Sequence, residues 1–235
     1  MRVLKSTSCF FKGFYYFFAT ILGYFVIRDL DCLPKMMGGS GDLSLLFSNY
    51  PSFEKPPYFD FYYIFITGYH IESLFTHLIS EKNADYIEMI FHHVLTLNLI
   101  FFSYLTCFTK VGILILWLHL WTDVFASIAR AFGNIRDLYA FISYLGLMST
   151  WAYSRLYIFG YIIKEIYITD VQIYGVQPFE RELLHYLFTA LVFGLYILHL
   201  FWFYLLFRLG FDLVYLKRYE DPVTIPLNSQ KGAKN

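Results

Sequence analysis

Residues 85–105 read DYIEMIFHHVLTLNLIFFSYL. From Ile90 onward this stretch is apolar for the length of a bilayer-crossing helix, which needs about 20 such residues. Two adjacent histidines, His92 and His93, nevertheless stand inside it, with Glu88 one turn earlier. A segment in hydrocarbon must satisfy its own backbone, so the stretch predicts a membrane helix.

Five similar apolar runs decide the class of the whole chain. Together the six cover residues 10–27, 59–79, 86–106, 111–132, 138–163 and 183–209. The composition agrees: 58% of the residues are hydrophobic, 23% aromatic and only 15% charged, where a soluble domain carries about 25% charged residues. A transmembrane barrel would show alternating segments of about 10 residues, and these runs do not alternate. The expected fold is therefore all-α: a polytopic membrane protein with a six-transmembrane-helix bundle over residues 1–218, followed by a polar cytosolic tail at 219–235. Residues 28–58, with MGGSGD and NYPSFEKPPY, read as a long polar connection. Residues 164–182 read as a second.

Basic residues precede the first run as they would in a signal peptide. However, the run is long and aromatic and no small-residue cleavage site follows, so it reads as a retained span. Cys9, Cys32 and Cys107 are scattered and read as free thiols. A net charge of zero makes no case for nucleic acid or for an anionic surface. With the N-terminus in the cytosol, eleven Lys and Arg fall on that side and six on the other, leaving Arg155 within the membrane. The positive-inside rule then predicts both termini in the cytosol.

The polar residues of the third and fourth runs form a pattern. Glu88, His92 and Thr96 follow one another at i, i+4 and i+8 and share one helical face, which Asp85 extends. In the fourth run, LWLHLWTDVFASIAR places His119 and Asp123 at i, i+4, with Ser127 one turn on. The turn near 107–110 is short, so the two runs form an antiparallel hairpin. Counting outward from its midpoint sets His93 level with Asp123 and Thr96 level with His119. Ionisable groups within the membrane are expensive and mark a site by default. A carboxylate near an imidazole suits acid–base or nucleophilic catalysis. Interhelical hydrogen bonding is the plainer alternative, worth about 0.6–2 kcal/mol per contact. Metal binding by His92, His93, His119 and Asp123 is another, but adjacent histidines diverge by about 100° on a helix, unlike an i, i+4 zinc pair.

Elsewhere, Arg155 reads as a headgroup contact or the partner of a carboxylate. His199 reads as a packing histidine, and His70 and Glu72 as a polar contact on the second run. Lys82, Arg130 and Arg136 supply cations at the cytosolic end.

The stretch DYIEMIFHHVLTLNLIFFSY resembles the longevity-assurance motif of ceramide synthases, in the TLC-domain superfamily, whose core runs D-[FY]-x-E-M-x-x-H-H-x-x-T. Asp85, Glu88, Met89, His92, His93 and Thr96 match it. NYPSF, WAYSRLYIF and HLFWFYLLFRL fall where that family has similar segments. The resemblance implies a six-helix bundle of the endoplasmic reticulum membrane that transfers a fatty acyl group from acyl-CoA to the amine of a sphingoid base. It implies no bound cofactor, with fatty acyl-CoA as co-substrate, and partners that include other membrane subunits in homo- or hetero-oligomers. By position it makes His92, His93 and Asp123 catalytic; the residue pattern adds His119 to these, and Glu88, Thr96, Arg155 and Arg130 as substrate-binding. The chain departs from the family pattern H-D-x-x-D at Leu120, and the family's asparagine and arginine after the SY pair are Cys107 and Lys110. Two further readings stand beside catalysis. One is a non-catalytic TLC-type protein that senses or moves lipid or assists translocation. The other is a proton-coupled transporter using the histidines as a relay.

Overall fold

The structure is a computed structural model that describes residues 2–48, 50, 52, 54–132, 137–173, 179–212 and 215. The helices are α1 (Arg2–Ile27), α2 (Phe59–Ile79), α3 (Tyr86–Leu105), α4 (Thr109–Phe132), α5 (Asp137–Thr150), α6 (Phe159–Ile173) and α7 (Phe179–Phe211). Among the described residues, four helices are long and apolar enough to cross a membrane: Phe10–Ile27, Tyr86–Leu105, Thr109–Phe132 and Tyr186–Phe211. α2 matches them in length but is more polar, with tyrosines and histidines along it. The expected tail at 219–235 and the cation Arg136 lie outside the described residues.

The boundaries have local causes. Pro56 and Pro57 hold α2 off until Phe59, and Ser80 closes its far end by donating its hydroxyl to the Thr76 carbonyl at 2.7 Å. Thr106 ends α3 in the same way, through Phe102 O at 2.6 Å. The chain then turns through Cys107, whose φ of 63° lies in the left-handed region. An L-residue with a Cβ costs about 1–2 kcal/mol there, and glycine and asparagine least. This accounts for the asparagine of the resembled pattern at that position. Cys107→Asn or Cys107→Gly is therefore expected to raise unfolding stability by about 0.5–1 kcal/mol. Detergent-solubilised thermal denaturation checks it, and a lower midpoint for both variants would show the turn to be unstrained.

Residues 28–58 are more than a loop. Leu33, Leu43 and Leu46 are buried in the same core as α1, α2 and α4. Tyr50 stacks on Phe108 at 4.9 Å, and Lys110 donates to the Ser48 carbonyl and hydroxyl at 2.9 and 2.8 Å. Two short 3-10 turns, Lys35–Met37 and Leu43–Phe47, give the segment shape, the second opened by Asp42 accepting from the Ser44 amide at 3.0 Å. Those bonds hold the Asp42 carboxyl below its ordinary range. The connection thus plugs the α3–α4 end of the bundle.

The expected end of the fifth run also needs correction. The fifth run continues as helix to Ile173, because Ile162 and Ile166, one turn apart, pack into the core and carry the rod past Lys164. Within that rod, Trp151–Ile158 is π-helical, a wider turn absent from the sequence reading. It joins α5 to α6 without a break and brings Trp151, Ser154 and Arg155 into the interior. Close approach on the far side of α3 and α4 depends on Gly112, where a Cβ would stand 2.0 Å from the Tyr63 hydroxyl and 2.5 Å from Ser103 Oγ.

Candidate active site

α3 packs mainly on α2 and α7, whereas α4 packs mainly on α1 and α5. The two arms of the predicted hairpin consequently diverge, and a chamber of about 220 Å³ opens between them. On α3 its lining runs from Asp85 to Ser103, and on α4 from Gly112 to Arg130. At about 1.5 Å per residue, each wall is roughly 27 Å long. Lys12, Asp85 and Arg130 line one end, and Leu99, Ile100, Leu116, Phe188 and Leu195 line the other.

The histidines occupy the middle of the chamber. His92, His93 and His119 line the chamber together with His70 of α2, and Trp202 of α7 stands edge-on to His92 at 5.3 Å between ring centres. His92 lies 5.6 Å from His93 and 6.4 Å from His119, while His93 lies 6.3 Å from His70 and 6.0 Å from His77. Nδ1 of His70, His92 and His93, Oγ1 of Thr96 and Nε of Arg155 are buried without a hydrogen-bond partner. These are the groups free to meet a ligand.

His119 differs. Its Nδ1 lies 2.7 Å from the Ile115 carbonyl, which can only accept, so that nitrogen carries the hydrogen. In the neutral ring Nε2 then accepts, and His199 Nε2 donates to it at 2.9 Å. Both nitrogens of His119 are therefore engaged, and His199, fully buried, is the partner that engages it.

The predicted juxtaposition of His93 with Asp123 is replaced by another. The Asp123 carboxylate accepts from the Arg155 guanidinium, which also donates to the His119 carbonyl at 3.1 Å and lies over the Trp151 ring at 4.3 Å. His93 turns toward α2 instead, and it is His92 that faces His119. The cause is the splaying of α3 from α4: hairpin counting sets depth along the axes, whereas neighbouring helices set rotation. Thr96 and Arg130 line the chamber, Glu88 is half-buried and does not, and Leu120 lies in the wall at 2% exposure. His70, read from the sequence as a polar contact on the second run, lines the chamber instead, and Trp202 was not singled out. The signal for His70 was its place seven residues before His77, on one face of α2. Among the described residues no group of His, Cys, Asp or Glu is arranged to hold a metal ion.

An all-helical membrane domain with a polar chamber sunk between its helices is a recognisable class of protein. Comparison with known families places it further. The chain belongs to the TLC-domain family, whose model matches residues 5–208. Its relatives include the ceramide synthase LOH2 of Arabidopsis thaliana, 27% identical over 87% of this chain and 68% of that protein. The ceramide synthase hyl-1 of Caenorhabditis elegans is 26% identical over 89% and 58%, and the sphingosine N-acyltransferase lag1 of Schizosaccharomyces pombe 27% identical over 87% and 50%. The chain thus spans about half to two thirds of the length of these relatives.

Proposed function

We propose that this protein is a ceramide synthase-like N-acyltransferase of the endoplasmic reticulum membrane, with both termini in the cytosol and six membrane crossings. It moves a fatty acyl group from acyl-CoA to the amine of a sphingoid base, as the names of its relatives suggest. The observation that carries the reading is the pairing of open imidazoles midway along the chamber with apolar residues beyond them. An acyl chain is soluble among such residues, and a thioester carbonyl then falls beside His92 and His93.

The chemistry needs a base. The amine nitrogen attacks the thioester carbonyl, the C–S bond breaks as the C–N bond forms, and the proton lost by nitrogen passes through an imidazole to the departing thiolate. Alternatively, an imidazole attacks first and the amine resolves the acyl-imidazole. His92 and His93 are placed for either part. His119, with both nitrogens occupied, instead supports the wall on which His92 lies. The unpartnered Nε of Arg155 is a donor for the oxyanion. Lys12 and Arg130 supply cations for the CoA phosphates, and no bound cofactor takes part.

The test is to express the chain in cells lacking ceramide synthase, with labelled sphingoid base and fatty acyl-CoA. Labelled ceramide is expected. None above background from a folded, correctly located protein would favour the non-catalytic reading. Asp123 is neutralised by Arg155, so a carboxylate at position 120 is what the imidazoles lack. Leu120→Asp is accordingly expected to raise the rate, by about tenfold if it supplies a catalytic hydrogen bond. An unchanged rate in a folded variant would separate position 120 from the chemistry.

A further inference from the structure

A second recess lies on the outside of the bundle, between α1 and α2, and shares Lys12 and Tyr69 with the chamber. Its own lining adds Phe11, Tyr15, Phe65, Gly68 and Glu72. Three observations make it more than a crease. First, the exposed face of α2 is an apolar stripe of Phe61, Ile64, Ile71 and Phe75, a surface suited to lipid. Glu72 is the one charge between Asp60 and Ile79, and it stands in that stripe. No ion pair engages it among the described residues, and its one hydrogen bond comes from the Thr76 hydroxyl at 2.6 Å. A carboxylate so placed is costly unless it meets a cation. Second, the recess is walled by aromatic rings, which attract an ammonium group through their faces. Third, only an aromatic partition divides the recess from the histidines. Tyr15 stacks on Tyr69 at 3.9 Å, Tyr69 donates its hydroxyl to Tyr16 at 2.7 Å, and Tyr69 stands 6.0 Å from His70.

Resting on the acyltransferase reading, we infer that the α1–α2 recess is the lateral entry site for the amine substrate, with Glu72 binding the ammonium of a long-chain primary amine arriving from the bilayer. The apolar tail of that amine lies along the α2 stripe. The Tyr15–Tyr16–Tyr69 partition is the threshold it passes to reach His70 and His93. Separate entries let an acyl donor with a large, anionic head come through the polar mouth while the amine comes from the side.

Two variants test the site without disturbing the fold. Glu72→Gln keeps the shape and removes the charge. Gly68→Leu fills the recess, and a Cβ there meets nothing within 4 Å. Each is expected to raise the KM for the amine about tenfold or more, the loss of one charged contact, and to leave the KM for acyl-CoA unchanged. In parallel, the full-length protein in phospholipid vesicles is photolabelled with a long-chain primary amine carrying a diazirine in its tail. Labelling is expected in the peptide holding Phe65 to Glu72, lost in both variants and displaced by a long-chain amine but not by the matching alcohol. Unchanged amine KM in both variants of an active enzyme, or labelling confined to other helices, would overturn the entry site alone. A wild type that makes no amide yet labels at this peptide would overturn the acyltransferase reading and keep the amine site.

Discussion

His92→Ala and His93→Ala are each expected to slow amide formation by a factor of about 10²–10⁴, the usual contribution of a positioned acid–base group. The argument rests on availability. Four imidazoles line the chamber, but His119 has both nitrogens bonded, and His70 stands on α2, 6.3 Å from the His93 ring. His92 and His93 each keep a buried Nδ1 with no protein partner. The chamber already holds open space beside them, so truncation leaves the walls standing. A labelled amide assay on purified protein measures the effect, with far-ultraviolet dichroism confirming the fold. Retention of activity within about tenfold by both variants would place the chemistry elsewhere. The two roles separate when acyl-CoA is supplied without amine. The nucleophile is the histidine whose replacement abolishes acylation of the α3 peptide, read by mass spectrometry.

The second large effect concerns stability. Asp123→Ala is expected to cost about 3–5 kcal/mol, because it strands the Arg155 guanidinium in a buried site. Arg155→Ala should cost less: the Asp123 side chain keeps 31% exposure, toward the chamber, whereas that of Arg155 keeps 4%. The double variant Asp123→Leu with Arg155→Met should recover much of the loss, since two apolar groups need no partner. Denaturation of the four proteins in one detergent closes the cycle. Additive losses in the double variant would show the pair to be energetically uncoupled.

The helix ends near residues 59, 79, 86 and 132 were legible because prolines, a serine and a run of charges punctuate them. Composition and run length were enough for the membrane class. Rotation about each axis was not legible. It depends on which helices become neighbours, and the hairpin count, which sets only depth, took no account of α2 and α7, the main neighbours of α3. That is why His92 rather than His93 meets His119. The π turn was hidden for a related reason. Its residues have no distinctive composition, and only packing against α4 and α7 favours the wider turn. The folding of residues 28–58 was obscured by their glycines and prolines, which mark turns but are silent on whether the turns carry buried leucines.

α4 is the hub of the bundle: 72% of its membrane-length stretch is buried, against 28% to 33% in the other three. The chamber it lines is completed by α1 and by α7, the first and last helices among the described residues. During synthesis the walls therefore arrive far apart in time. His93 leaves the ribosome 106 residues before His199, and at about 5–20 residues per second the gap is on the order of 5–20 s. For that interval the α3 histidines have neither Trp202 nor His199 nearby, and their polar groups face lipid, water or an attendant protein. A nascent chain paused before α7 would thus expose the α3 histidines to their surroundings, and shielding of those histidines would mark the moment at which the chamber closes.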